Sequence, residues 1–242
     1  MNHPAEVAIH TFLQNVMLGK ASMDKDILNL VSKDVEEALG RQFSGEKRKF
    51  KLRMSNIGRK KCQLWFEKNH PGEKISDSPY FLINMILGDI IEAVFKGLLR
   101  AADVKFDDSE QVSLPIKGGH VDGTYDLVLN GKVDDVKSAS PWAYENKFTD
   151  FETLQGKDSF GYVSQLVGYA KAKGVPVGGW WVVNKANGNF KYVSANNVNV
   201  KEKRDKIQDT IDYINNDEPF ERCYEPVAET YYGKPSGNMK LG

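Results

Sequence analysis

The chain has 242 residues, of which 40% are hydrophobic and 27% charged, which is ordinary for a globular protein and enough for one sizeable core. Its 33 basic and 33 acidic residues cancel, so net charge does not announce a nucleic-acid partner, and two cysteines, Cys62 and Cys223, exclude a disulfide framework. No apolar run approaches the roughly 18 residues needed to span a membrane, and residues 1–20 lack the basic start and compact apolar stretch of a secretion signal, so an intracellular protein is expected.

Helical spacing runs over 5–19 and 24–40. In the second segment Ile27, Leu28, Leu30, Val31, Val35 and Leu39 share one apolar face, and Gly40 suits its end. Between Arg41 and Lys61 the only acid is Glu46, against nine lysines and arginines. Such a cluster can neutralise phosphates even in a neutral protein, or it can be a solvated loop. A short helix is predicted from about Ser55 to Lys68, broken by His70-Pro71-Gly72. Residues 79–102 are apolar nearly all round, which predicts a buried helix, and Glu92 in its middle needs a partner or a metal.

The period then changes. Residues 112–116 and 121–129 alternate as strands, Asn130-Gly131 is a hairpin turn, and 132–138 is the returning strand. Pro141 and Trp142 open a short helical or irregular segment, and 158–173 is helical. Residues 178–183 and 190–193 read as strands about the turn Ala186-Asn187-Gly188-Asn189. Residues 198–215 look like a polar, exposed helix, and the sequence from Phe220 onward has little periodicity. This order predicts an α/β (α+β) chain with one mixed central sheet flanked by helices. It divides into a helical N-terminal extension over 1–45, a core over 46–220 and a tail over 221–242.

The hairpin gathers the chemistry. A two-residue loop pairs Leu129 with Lys132, so Asp126 falls opposite Asp135 and Thr124 opposite Lys137. Alternation puts Asp122, Thr124, Asp126, Asp135 and Lys137 on one face, with Val121, Tyr125, Leu127, Leu129 and Val136 on the core face. Carboxylates and a lysine together suit phosphodiester hydrolysis. The carboxylates can hold Mg²⁺ through oxygen, the ion acidifies a bound water, and the lysine stabilises charge developing on the phosphate. Asp-x-Lys on a strand, taken alone, equally describes a solvent-facing ladder of opposite charges.

The wider pattern is more specific. Gly119-His-Val-Asp122, followed by Asp135-Val-Lys137-Ser, resembles the Gly-x-x-Asp and Asp-x-Lys-Ser/Thr motifs of the PD-(D/E)XK nuclease superfamily. It is similar in particular to the RecB-type exonuclease branch, with its mitochondrial genome maintenance and phage exonucleases. Gly88 and Glu92 resemble that family's upstream helix motif, and Tyr162, Gln165 and Tyr169 its downstream Gln-x-x-x-Tyr motif. Spacings of three and four independently place these last three on one helix face. The likeness covers roughly residues 55–195.

The resemblance implies a restriction-endonuclease-like fold and a deoxyribonuclease dependent on Mg²⁺ or Mn²⁺. It would act from DNA ends in replication, recombination, repair or DNA degradation, in the cytoplasm or a host's cytoplasm. Asp122, Asp135, the Val136 carbonyl and Glu92 would hold the metal, and Lys137 would be the catalytic lysine. Gln165 and Tyr169 would position the lysine or the scissile phosphate. Arg53, Ser55, Arg59, Lys60, Lys61 and Tyr162 would contact DNA. Motif and hairpin register conflict at one point, because Asp122 lies about 13 Å along the strand from Asp126. A bulge or strong twist, allowed by Gly123, would have to bring Asp122 back to Asp135, and Asp126 is the alternative ligand. Several RecB-type relatives hold an iron–sulfur cluster on one upstream and three C-terminal cysteines. Cys62 resembles the first ligand, but the trio is absent, so the chain as it stands does not support a cluster. The alternatives are a structure- or site-specific endonuclease on the same fold, a catalytically silent DNA-binding member, and a charged surface hairpin.

Overall fold

A computed structural model of the chain describes residues 3–45, 49–73, 78–231 and 234–240. Helices α1 (Pro4–Met17) and α2 (Lys25–Gln42) start at side-chain caps: His3 accepts from the Ala5 N–H and Asp24 from the Asp26 N–H. Residues Glu46, Lys47 and Arg48 of the basic stretch lie outside the described residues. Helix α3 (Lys61–Asn69) is shorter than its sequence pattern predicts, because 54–58 turns instead of winding. Helix α4 (Pro79–Ala101) follows. Next come β1 (Phe106–Asp107), β2 (Glu110–Ile116), β3 (Gly119–Tyr125), β4 (Leu127–Leu129) and β5 (Lys132–Ala139). Helices α5 (Pro141–Asn146), α6 (Phe151–Gly156) and α7 (Tyr162–Lys173) cross over to β6 (Val177–Asn184) and β7 (Phe190–Ser194). Helix α8 (Val200–Asn215) and the strands β8 (Val227–Tyr231) and β9 (Lys234–Lys240) complete the order.

The centre is a mixed five-stranded sheet in the order β1-β4-β5-β6-β7, flanked by helices. β5 pairs antiparallel with β4 and parallel with β6, so it is an inner strand covered on both faces. Alternation divides its neighbours. Val128, Val133, Trp180 and Val182 face a core shared with Leu166 and Tyr169 of α7 and with Ile207 and Ile211 of α8. Leu127, Leu129, Val136 and Trp181 face a second core closed by Ala5 and Ile9 of α1 and by Phe95 and Leu99 of α4. Thus α1 is a layer of the core itself, not an appendage to it. Asp134, on this second side, accepts from Gly179 N–H (2.8 Å), Trp181 Nε1 (3.0 Å) and the Tyr192 hydroxyl (3.0 Å).

Several expectations change. The predicted strand over 121–129 is two strands, because the chain bends at Asp126 and β3 leaves to pair with β2 in a separate sheet. Helix α4 is not buried throughout. At 1.5 Å per residue its 23 residues reach about 34 Å, and its burial concentrates in the second half, leaving Tyr80, Phe81, Ile83 and Leu87 exposed. Helix α8 is not a polar surface helix either, since Ile207, Thr210, Ile211, Tyr213 and Ile214 are buried. The C-terminal segment forms the β8–β9 hairpin despite its weak periodicity. Among the described residues no helix is long and apolar enough to cross a membrane.

One contact seats the start of α7. The backbones of Gly58 and Gly161 touch, and a Cβ on Gly58 would fall within van der Waals exclusion of three Gly161 backbone atoms. Backbone cannot swing away as a long side chain can. Gly58→Ala is therefore expected to cost about 1–3 kcal/mol as overpacking. Gly72→Ala, where nothing lies within 4 Å, is the control. Thermal melting of both checks this: Gly58→Ala melts several degrees lower, and equal midpoints would show that the two loops separate freely.

Candidate active site

The hairpin register is as read from the sequence near its turn: Leu129 pairs with Lys132, Val128 with Val133 and Leu127 with Asp134. Beyond Asp134 β4 has ended, and among the described residues the corresponding edge of β5 carries no paired strand. Asp126, at the bend, fills that edge with its side chain: the Val136 N–H donates to Asp126 Oδ2 at 2.7 Å. A strand residue directs its N–H and C=O to the same edge. The Val136 carbonyl therefore opens onto the same place.

Asp135 lies beside Asp126 at the floor of this place, 2% exposed, and its charge acts directly on the Asp126 carboxyl. Lys137 Nζ stands 2.5 Å from Asp135 Oδ2. That ammonium is off the line of a directed hydrogen bond, so both Asp135 oxygens lack a directed donor. Glu92 reaches the group from α4. Its own partner is Lys96 at 3.2 Å, and Lys96 also meets Asp108 at 3.0 Å. Gly88, one turn earlier, faces Ser138 of β5. From α7, Gln165 Nε2 donates to the Tyr169 hydroxyl at 3.3 Å, and the Tyr162 ring lies 5.1 Å from Lys137 Nζ.

The charges are strained in a consistent direction. Burial, then the neighbouring Asp135 charge, pushes the Asp126 carboxyl well above the usual range, against the pull of Lys137. Burial raises Asp135 too, and Lys137 only partly offsets this. Burial and Asp126 push Glu92 up to about 7, although Lys96 opposes them. Burial alone would lower the Lys137 ammonium, but Asp135 and Asp126 reverse that and hold it above the ordinary lysine range. Tyr169 is raised by burial and stays a neutral phenol.

Asp122 is not brought to this group. It sits on β3 opposite Ser113, accepts from Ser113 Oγ (2.7 Å) and pairs with Lys51 Nζ (2.9 Å). Hydrogen bonds from Lys51 and Ser113 hold its carboxyl below the usual range. The reason is topological, since β3 diverges from β5 instead of bulging back toward it. A signal in the sequence could have found this: Gly123-Thr124-Tyr125-Asp126 is a second Gly-x-x-Asp, four residues after the first. Gly123 is needed for packing, because a Cβ there would lie 2.5 Å from Met54 Cβ and 2.8 Å from Tyr169 Cε1. Lys147 also had no sequence signal; its Nζ lies 4.5 Å from the Tyr162 ring.

The basic residues divide differently from expectation. Arg59 pairs with Glu67 (3.0 Å), Lys60 donates to the Cys223 carbonyl (3.1 Å), and Lys61 pairs with Asp209 (2.5 Å). The last two tie α3 to α8 and to the segment after it, while the Arg59 pair stays within the α3 region. Arg53 and Ser55 flank and enter the turn at 54–58, Ser55 being exposed. Cys62 and Cys223 are neighbours, the Cys62 N–H donating to Cys223 Sγ at 3.0 Å. Burial and a hydrogen bond with Cys223 push the Cys62 thiol up to about 11, so it is an inert thiol, not a reactive thiolate.

A divalent cation is tested by the donor set. Among the described residues no three His, Cys, Asp or Glu side chains form a ready-made metal cluster. What the corner does offer is a contacting carboxylate pair, an Asp135 oxygen without a donor, an open carbonyl and one nearby Glu92. All of these are hard oxygen donors, and their mutual repulsion would be relieved by a dication. The residues fit Mg²⁺ or Mn²⁺.

No protein-family model matches the sequence, and no curated protein matches it. Among solved structures the chain is similar to one described as "Crystal structure of SSO0001", at 14% identity and a TM-score of 0.41, over 78% of this chain and 87% of that one.

The raised carboxyls set a pH dependence for the metal-free protein. Glu92 and Asp126 keep protons in the folded state that they release when unfolded, so the folded state binds more protons within a window that opens at 3.8 for Asp126 and at 4.5 for Glu92 and closes at about 7. The cost of charging them is absent below that window, grows as pH rises through it and is complete above. In chelator, the urea midpoint is expected to be lower at pH 7.5 than at pH 5, and Glu92→Gln with Asp126→Asn reduces the difference, the buried Asp134 carboxyl keeping a share of it. A wild-type midpoint that rises over that interval contradicts the reading.

Proposed function

We propose that the chain is a divalent-metal-dependent nuclease that hydrolyses phosphodiester bonds of DNA, with Asp126, Asp135, Lys137 and Glu92 at its centre. The observation that carries the reading is the Asp126–Asp135 pair at the open edge of β5, with Lys137 held charged beside it. The order of motifs along the chain, similar to that of the PD-(D/E)XK nucleases, supports the same reading. It also supplies the preference for DNA, for free ends and for a restriction-endonuclease-like description of the fold.

Asp126, Asp135 and the Val136 carbonyl would hold the ion, with Glu92 as a further carboxylate. When bound, the ion would acidify a water and offset charge on the phosphate. Lys137 presents a fixed ammonium where the phosphate gains negative charge. Asp135 keeps it protonated, so it acts by charge and not as a base. The Tyr162 ring restricts the ammonium from one side. Tyr169, a neutral phenol donated to by Gln165, has its own proton free to direct at an anionic oxygen. Lys147, beside Tyr162, adds a second cation at the mouth.

End-labelled linear DNA and closed circular DNA, incubated with Mg²⁺ or with EDTA, test this. Cleavage of the linear form only, abolished by EDTA, is expected. Nicking of the closed circle would make the enzyme an endonuclease, and undiminished cleavage after thorough chelation would remove the mechanism. Lys137→Ala should lower turnover about a hundred- to a thousand-fold. It should also lower stability in chelator, because the buried Asp135 loses its Lys137 partner. Asp126→Asn should be inactive, whereas Asp122→Asn should stay within a few-fold of wild type. The reverse ranking would restore Asp122 as the working carboxylate.

A further inference from the structure

A groove of about 650 Å³ runs beside the candidate site, between α3, the start of α4, the loop before α7 and the segment that follows α8. Four phenylalanines line it, Phe66, Phe81, Phe160 and Phe220, each between 41 and 54% exposed. Rings of this size are usually buried, and so many on one concave surface mark a binding site. Their flat faces are arranged for stacking: His70 already stacks on Phe66, with centroids 4.8 Å apart and planes at 27°.

Cations are interleaved with the rings. Arg59 and Arg222 line the groove, and Lys60 Nζ stands 3.8 Å above the Tyr224 ring at its edge. Among the described lining residues the one acid is Glu67, and it and Arg59 cancel, which leaves Arg222 and Lys60 as the groove's net positive charge. The groove is also continuous with the catalytic corner. Phe160 stacks on Tyr162 (5.6 Å, 15°), and Lys147 Nζ lies 5.0 Å from the Phe160 ring and 4.5 Å from that of Tyr162. Tyr162 in turn lies 5.1 Å from Lys137 Nζ. Phe66 and Phe160 thus share one groove, and from Phe160 a row of rings and cations leads through Tyr162 and Lys147 to Lys137.

Exposed rings with interleaved cations match a chain of planar bases joined by phosphates. Bases within a duplex present no free face to such rings, whereas unpaired ones do. We infer that this groove binds single-stranded DNA by stacking unpaired bases on Phe66 and Phe160 and feeds the strand to the Asp126–Asp135–Lys137 corner. The inference rests on the nuclease reading for the identity of its ligand, and it adds single-strand preference to that reading.

Binding is measured by fluorescence anisotropy in EDTA, so that nothing is cut. The probes are a labelled oligothymidylate, an abasic strand of equal length and a duplex closed by hairpins at both ends. The oligothymidylate binds most tightly. Phe66→Ala and Phe160→Ala each weaken it roughly five- to a hundred-fold, the size of one lost stacking contact, and leave the abasic strand unchanged. Phe160→Trp and Phe66→Tyr, which keep a ring, retain the binding, and melting temperatures verify that all four variants fold. Equal affinity for the oligothymidylate and the abasic strand, or oligothymidylate affinity unaltered in both alanine variants, overturns the inference. So does the absence of strand binding, which would leave the groove to an apolar protein segment. The two readings fail separately. A protein that cuts DNA in Mg²⁺ but prefers the closed duplex loses the groove and keeps the nuclease. One that holds the strand through Phe160 and cuts nothing loses the nuclease and keeps the groove.

Discussion

The hydrogen bond from the Val136 N–H to Asp126 Oδ2 marks where a β-ladder stops and a site begins. Up to Asp134, β5 is paired with β4 along this edge, and its backbone groups there are spent on sheet. After Asp134 one edge is vacated, and a single side chain takes the place of the missing strand. A carboxylate that replaces a strand must lie in the plane of the sheet. There it meets the Asp135 side chain and opens the Val136 carbonyl. The repulsion between these oxygens, the elevated carboxyls and the anchored charge on Lys137 all follow from that one substitution of side chain for backbone.

Asp134 and Asp135 show how differently the protein treats adjacent carboxylates. Asp134 accepts three hydrogen bonds from groups on β6 and β7, and it serves to tie those strands together. Asp135 has no directed donor and one ammonium. A protein that needed both only for folding would have satisfied both, since leaving a buried oxygen without a donor costs about 1–3 kcal/mol. Unmet capacity is therefore concentrated on the residue that faces Asp126 and Lys137. The same distribution places neutral phenols, Tyr162 and Tyr169, rather than further charges, on the facing helix.

Much of this was legible in the sequence where local chemistry dominates. The Asn130-Gly131 turn fixed the register of the hairpin, and three- and four-residue spacing put Tyr162, Gln165 and Tyr169 on one helical face. The literal register also placed Asp126 opposite Asp135, while the motif pattern favoured Asp122. The structure sides with the register, because strand pairing is set by the turn and a motif of four residues occurs twice in succession here. What was not legible depended on long-range packing. The divergence of β3 toward β2, the burial of one face of α8 and the exposure of the first half of α4 all depend on neighbours far away in sequence. The basic residues at 59–61 were the hardest case, since composition cannot tell a phosphate contact from a tether to Asp209 or to the Cys223 carbonyl.

On the proposed reading Asp126, and not Asp122, would complete a cation site with Asp135. Mn²⁺ binding to the free protein, titrated by the loss of the aqueous ion's electron paramagnetic resonance signal, tests it without DNA and without turnover. Asp122→Asn is expected to bind Mn²⁺ as wild type does, while Asp126→Asn and Asp135→Asn each bind it at least ten-fold more weakly. Unimpaired binding in Asp126→Asn together with lost binding in Asp122→Asn would contradict it.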